Sequence, residues 1–521
     1  MTFGIWILGD QLHFNQAAIA SALTSQSPQT TPVLMVESHD WVRQRNYHKQ
    51  KLVLVWSAMR HFAEDLKAKG FEVTYRRAET FEAALQEFAS ATKIDELRVM
   101  EPADLPMRSL LTDVSERLDI SVVQLPNNHY LWSRQEFSEW TTNRKRLVME
   151  DFYRAGRKRF GILMDGDDPV GDRWNFDKDN RKPPKTDLNV PEPLRFEPDS
   201  MTQAAIEDVE SEYSDNFGSL TQFQWAVTRD QALQVLEQFV RDRISSFGPY
   251  QDAMVTGQPT MWHALISPYL NIGLLQPLEV IQSIEKAHVE RQAPIASVEG
   301  AIRQVLGWRE YVRGLYEIYM PEGYSDRNWF DHQRPLPDFF WTGETDMNCL
   351  RQSLQQTIES GYAHHIQRLM VLGNFALISG INPQALESWF HSAFIDSYDW
   401  VMQTNVLGMS VFADGGLLAT KPYAASANYI HKMSDYCCDC RYNWKNKTGN
   451  DACPFNFFYW DFLHRHERKL ADLGRMGLVL ANLARLSPQQ LAEIGDRAQG
   501  WWELQMSSQS GNLASSSASS P

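Results

Sequence analysis

The sequence predicts an α/β N-terminal domain on a parallel sheet, a long linker, and a large all-α C-terminal domain. Three observations carry this. Over the first 125 residues, short β-rich runs alternate with helical periods. Residues 126–224 are crowded with Pro, Asn and Asp, and beyond 225 the strand signal fades into apolar periods of a helix. We divide the chain into 1–125, a linker at 126–224, a helical domain at 225–506, and a Ser-rich tail at 507–521 expected to be disordered.

The strands expected are "FGIWILG" (3–9), "TPVLMVE" (31–37), "FEVTYRR" (71–77), "DELRVM" (95–100) and "ISVVQL" (120–125). Between them, "KLVLVWSAMRHFAEDLKAKG" (51–70) is helical and stops at Gly70, and "TFEAALQEFA" (80–89) is a second helix. Strands alternating with helices and nearly continuous in apolar residues belong to a parallel sheet. No GxGxxG follows the first strand, so a dinucleotide site there is unsupported. In the helical half, Thr228, Ser297 and Asn382 are the expected N-caps, with Pro383 at the first helical position.

Seventeen Trp and 12% aromatic residues are the one compositional oddity in an ordinary globular chain. There is no apolar signal peptide and no run of about 18 apolar residues, so the expectation is a soluble, cytoplasmic protein without a membrane partner. The net charge of -15 excludes nucleic-acid attraction by the surface as a whole. A local patch would have to serve, and "TNRKRLVMEDFYRAGRKRF" with Arg157 and Lys158, followed by "DKDNRKPPK" with Arg181, is the candidate. A solvated helix face is the bland reading of the same run.

Five cysteines do not form a disulfide framework, yet "SDYCCDC" gathers three of them. Cys437 and Cys440 form a C-x2-C pair, Cys453 follows before Pro454, and Cys349 arrives from elsewhere. In a reducing compartment such a set binds metal, and four cysteines suit either tetrahedral zinc or a [4Fe–4S] cluster. Cys438 is then the cysteine left over. Buried structural cysteines are the bland alternative.

The helical half also carries polar groups in apolar surroundings. Ser267 of "SPYLNIGLL" is placed to start a helix facing a phosphate. "GWREYVR" puts Trp308, Arg309, Glu310 and Arg313 on two turns of one helix. In "GYAHHIQRLMVLGNF", His364 and His365 share a helix face with Arg368, and imidazole is the group best placed for proton transfer near neutral pH. Asp396, Asp399 and Asn405 are polar groups able to hydrogen-bond a buried heterocycle.

In this order and spacing, the Ser-Pro-Tyr-Leu, Trp-Arg-Glu and Asp…Asn stretches resemble the photolyase/cryptochrome superfamily. The four cysteines and His-His-Ile-Gln-Arg narrow the resemblance to its iron–sulfur bacterial group, and to prokaryotic (6-4) photolyases over nearly the whole chain. The resemblance implies a photolyase-like fold holding FAD, with contacts at Tyr250, His263, Ser267, Trp308, Arg309 and Asn405. It implies Arg368 paired with Asp399 or Asp396, and a [4Fe–4S] cluster on Cys349, Cys437, Cys440 and Cys453. A 6,7-dimethyl-8-ribityllumazine antenna would lie near Asp10 and Glu37. His364 and His365 would face a lesion in UV-damaged DNA, with His365 as general acid, and Trp341 and Trp389 would relay electrons. Glu310 would touch the lesion, while Arg157, Lys158 and Arg181 would touch phosphates. A monomer is expected, and Asp179 is a candidate for a divalent ion. Phe390, Met402 and Thr404 depart from the family pattern. The rival readings are a blue-light receptor of the same fold, and a nucleic-acid-binding protein with a structural cluster.

Overall fold

The computed structural model describes residues 3–118, 120–185 and 188–516, with side chains to 506. All five expected strands are present: β1 (Phe3–Trp6), β2 (Pro32–Ser38), β3 (Glu72–Ala78), β4 (Glu96–Met100) and β5 (Ser121–Leu125). They are parallel, in the order β3-β2-β1-β4-β5, with Ile5 opposite both Val33 and Arg98. The central β1 is buried throughout, which is why its sequence is apolar at consecutive positions rather than alternating. The order reverses between β1 and β4, leaving a crevice beyond their C-terminal ends.

The helices Lys49–Ala68 and Phe81–Thr92 match their expected positions. The first ends where Gly70 takes φ +91°, and Thr80 caps the second by accepting from Ala83 N at 3.1 Å. Thr228 and Asn382 cap as expected. Ser297 does not. Its helix starts at Ile295 after Pro294, and Ser297 is buried inside it, where Oγ accepts from Gly248 N at 3.1 Å. A Ser followed by an apolar period was a cap signal, but the helix already starts after the proline three residues earlier.

The linker holds more structure than its composition predicts. The helices Arg134–Thr141, Met149–Phe160 and Ser200–Glu212 lie within 126–224. At the far end, the helix Pro488–Ser516 runs through the first ten residues of the expected disordered tail, since adding a turn to a helix costs less than nucleating one; 517–521 lie outside the described residues.

The α/β and helical halves are not separate cores. One cluster of buried side chains runs from Phe3, Ile5 and Val33 of the sheet to Leu236, Ile284 and Leu306 of the helical half. Polar ties fix the same boundary. Lys51 Nζ donates to Ser397 Oγ at 2.9 Å, and Gln50 Nε2 donates to the Glu359 carbonyl at 2.7 Å. Asp104 accepts from the backbone N–H of Asp399 and Trp400 at 3.1 and 2.9 Å.

Candidate active site and cysteine chamber

A cavity of about 560 Å³ opens in the helical half, within the usual range for a cofactor pocket. Helices widened to i→i+5 hydrogen bonding form much of its wall, at Phe239–Arg243, Arg303–Arg309, Gln367–Gly373 and Gln403–Ser410. Such widened turns re-aim side chains and gather at functional sites.

Across the cavity wall, Arg368 Nη1 and Nη2 grip Asp396 Oδ1 and Oδ2 at 2.8 and 3.2 Å. Of the two partners left open by the sequence, Asp396 is therefore the one. Ser267 also serves Asp396, its Oγ donating to Oδ2 at 2.7 Å instead of capping its own helix. Trp308, Arg309, His263 and Asn405 line the cavity as expected. Asn405 donates to the Val401 carbonyl at 2.8 Å, while His263 Nε2 and Arg309 Nε have no hydrogen-bond partner among the described residues. Buried polar atoms left in this way are a signature of a missing partner, and a polar, heterocyclic cofactor would supply one. The departures sit here too: Phe390 and Met402 line the cavity, and Thr404 Oγ1 turns back to the Trp400 carbonyl at 3.0 Å.

The two adjacent histidines differ sharply. His364 is 2% exposed and stacks on His263 with ring centroids 4.5 Å apart. Neither of its ring nitrogens has a hydrogen-bond partner among the described residues, and burial holds its pKa well below the usual value. His365 is exposed into the cavity. Its low-dielectric surroundings, then Arg368 and Arg181, lower its pKa to about 4. Arg181, at φ +64°, stands at the same wall and pairs with Asp177 at 2.8 Å.

Several expected residues lie elsewhere. Asp399 is off the cavity, accepting from Tyr316 Oη and Gln403 Nε2 at the boundary with the α/β half. Tyr250 stacks on Trp262 at 4.9 Å. Glu310 accepts from Leu131 N and Trp132 N at 2.8 and 3.1 Å, so it secures the linker and cannot reach a lesion; burial pushes its pKa up to about 7. Arg157 is fully buried and donates to the Ile162 and Trp174 carbonyls at 3.2 Å, whereas Lys158 stays exposed. Apolar neighbours three and four residues away on the same helix drew Arg157 inward, which a count of basic residues does not register. Asp179 is exposed and paired with Arg173. The sequence reading missed Trp400, Tyr423 and Tyr429 in the cavity wall. The position of Trp400 directly after Asp399 was the available signal.

From the cavity, Phe390 touches Trp389 at a centroid distance of 5.3 Å, and Trp389 is 6.5 Å from the half-buried Trp341. Trp389 is held by its Nε1–H on the Phe340 carbonyl at 3.0 Å. In the α/β half, Asp10 follows β1 beside the β1/β4 crevice, and burial raises its pKa to about 6. Glu37 is elsewhere, sealed by Arg60 at 2.8 Å, Arg77 at 3.3 Å and the hydroxyl of Tyr75.

Cys349, Cys437, Cys440 and Cys453 line one small apolar chamber with Met347, Ala427, Ile430, Tyr436 and Phe455, while Cys438 is exposed outside it. Burial and the three neighbouring sulfurs push Cys349 well above the ordinary thiol value, and burial pushes Cys437 and Cys453 up to about 12. Thiols so placed keep their protons unless a metal replaces them. Among the described residues, the group of His, Cys, Asp or Glu ligand atoms within 4.8 Å of one another is Glu387–His391–Asp399, not the cysteines. The Glu387 carboxyl faces His391 Nδ1 at 3.5 Å; burial raises the acid to about 7 and lowers the imidazole.

A helical half with this cavity, docked on a five-stranded parallel sheet, defines the photolyase/cryptochrome fold. A class III photolyase from Agrobacterium tumefaciens superposes over 97% of this chain and 98% of that chain with a TM-score of 0.58 at 15% identity. A Synechocystis cryptochrome covers 78% of this chain and 82% of its own, with a TM-score of 0.53 at 16% identity. The family model for deoxyribodipyrimidine photo-lyase-related proteins matches residues 5–225. A (6-4) photolyase of Agrobacterium fabrum is 45% identical over 490 residues, covering 93% of this chain and 96% of that protein, and the chain belongs to the photolyase family.

Proposed function

We propose that this protein repairs (6-4) pyrimidine–pyrimidone photoproducts in DNA under blue light. The observation that carries this reading is an exposed imidazole, His365, on the wall of a flavin-sized cavity beside the Arg368–Asp396 pair. The likeness to a relative named (6-4) photolyase supports the choice of lesion.

FAD would be held by Arg368, Asp396, Ser267, Asn405, Trp308, Arg309 and His263, and when bound supplies the light-driven electron chemistry. The chain's own work is placement and proton delivery. Returning the displaced hydroxyl or amino group to its base needs a general acid within hydrogen-bond reach, and His365 has that access where sealed His364 does not. With a pKa near 4, His365 is neutral in the free protein at pH 7. A DNA phosphate beside Arg368 and Arg181 would offset their charge and favour its protonated form. His364 keeps the pair in place by stacking on His263. Arg181 and Lys158 would hold phosphates, and flipping an already unstacked lesion costs less than flipping an intact base.

The four cysteines would carry a [4Fe–4S] cluster, and the lumazine antenna would occupy the β1/β4 crevice at Asp10, with Glu37 bracing the sheet beside it. Trp389 and Trp341 would relay electrons to the flavin, with Phe390 lying between Trp389 and the cavity. No helix among the described residues is long and apolar enough to cross a membrane, and we read the protein as a cytoplasmic monomer acting on DNA. The test is a duplex carrying one defined lesion: blue light should restore a (6-4) photoproduct and leave a cyclobutane dimer untouched. Repair of the dimer alone would reverse the assignment.

A further inference from the structure

Between the cavity and the cysteine chamber lies Gln367, 1% exposed, with an amide that uses its donors and its acceptor. Oε1 accepts from the backbone N–H of His364 at 3.1 Å. Nε2 donates to Gln356 Oε1 at 2.9 Å and to Tyr436 Oη at 3.2 Å. Both Nε2 partners belong to segments that carry chamber cysteines. Gln356 is on the helix Asn348–Ser360, whose second residue is Cys349, and Tyr436 directly precedes Cys437. Asn348 Nδ2 also donates to the Tyr436 carbonyl at 2.8 Å, so Tyr436 is held at both ends while its ring lines the chamber.

We propose that Gln367 is a positioning residue that couples occupancy of the four-cysteine chamber to the placement of the His364–His365 pair. This rests on reading the chamber as a metal cluster site and the pair as the lesion-facing acid. A group bound to Cys349 and Cys437 fixes the helix of Gln356 against the loop of Tyr436, and so fixes the two acceptors that orient Gln367. Gln367 in turn sets the turn that starts at His364, and Arg368 N donates to the His364 carbonyl at 3.1 Å. Buried hydrogen bonds transmit such a displacement because an alternative partner is absent and an orphaned group is costly. A glutamine fits this position because only a side-chain amide offers two donors and an acceptor at this reach; glutamate lacks the donors and leucine lacks all three.

The experiment uses the holoenzyme with ¹⁵N-labelled histidine, in the dark and without DNA. Tyr436→Phe removes one hydroxyl, and Gln367→Leu removes the whole tie; where Gln367→Leu does not fold, Tyr436→Phe keeps the question answerable. Expected in Tyr436→Phe are wild-type iron content, displaced imidazole signals of His364 and His365, and an undisturbed signal of surface His464. Light-dependent repair of a saturating damaged duplex should fall on the order of tenfold with duplex affinity unchanged. Gln367→Glu, which can still accept from His364 N and from the tyrosine hydroxyl, should recover part of the rate. Unchanged histidine signals in an iron-loaded Tyr436→Phe protein would overturn the coupling alone. A wild-type protein without iron would overturn the cluster reading, and the coupling with it.

Discussion

The flavin cavity and the cysteine chamber share the Gln367 turn but are built in opposite ways. The cavity wall is tied by contacts within the chain: Arg368 to Asp396, Ser267 to Asp396, Asn405 to its own helix. The chamber is a meeting of three distant segments at 349, 437–440 and 453, lined by apolar side chains and four thiols. A cavity whose walls bond to one another keeps its shape when its ligand leaves, whereas on the proposed reading the four buried thiols would depend on a metal to deprotonate them. Loss of the flavin should therefore be tolerated and loss of the metal should not.

The largest effect should come from the chamber. Cys440→Ser or Cys453→Ser is expected to lose iron and most of the soluble folded protein, while Cys438→Ser keeps both, read by iron analysis and thermal unfolding. Equal iron in Cys440→Ser and wild type would remove Cys440 from the ligand set. Arg368→Leu comes next. It leaves Asp396 buried without its cation, at a cost of about 3 kcal/mol, and should empty the cavity of FAD while the far-ultraviolet dichroism stays native. FAD retained at wild-type stoichiometry would show that Arg368 does not hold it.

Acid should act instead at the boundary between the α/β and helical halves. His48 is fully buried, accepts from Gln50 N at 3.1 Å, and meets the Ile358 carbonyl across the domain boundary at 3.1 Å. Burial lowers its pKa to about 4. Below about pH 6.5 the unfolded chain takes up a proton that the folded one refuses until about pH 4. Its contribution is thus complete above pH 6.5 and lost as pH falls through that window, by about 3 kcal/mol for this group. Urea unfolding at pH 7.5 and 5 should show a smaller decline in His48→Gln than in wild type, the other buried histidines keeping their share.

Smaller effects concern the cofactors at the periphery. Trp389→Phe should keep FAD and slow its photoreduction, while repair by chemically reduced protein persists; unimpaired photoreduction would place the relay elsewhere. Asp10→Ala should release lumazine and spare FAD. Glu37→Ala should lower the unfolding temperature, because it leaves the Tyr75 hydroxyl without its acceptor and Arg60 with Asp208 alone, without the same selective loss of the antenna.

The sheet was legible because buried β1 and β2 leave continuous apolar runs between turn residues, while β-branched and aromatic residues marked the more exposed edge strands β3 and β5. The widened helical turns left no such mark, since i→i+5 segments share the periodicity of the helices that contain them. At the site, His365, Arg368 and the four cysteines were readable as unusual residue types in tight spacing. Arg157 and Glu310 were misread because a charged residue on a helix looks the same in sequence whether it meets phosphate or backbone; only packing tells them apart. The choice between Asp396 and Asp399 was equally hidden, for both sit in one short stretch three residues apart, and only Asp396 lines the cavity.

The most direct measurement is single-turnover repair of a duplex carrying one (6-4) photoproduct, comparing wild type with His365→Ala at equal FAD content, equal photoreduction and saturating binding. Wild type should restore the bases only under blue light, and His365→Ala should lose on the order of 10²–10⁴-fold in repair yet bind the duplex as before. Undiminished repair by His365→Ala, or a fully photoreduced wild type that restores no bases, would contradict a light-driven repair enzyme whose proton comes from His365.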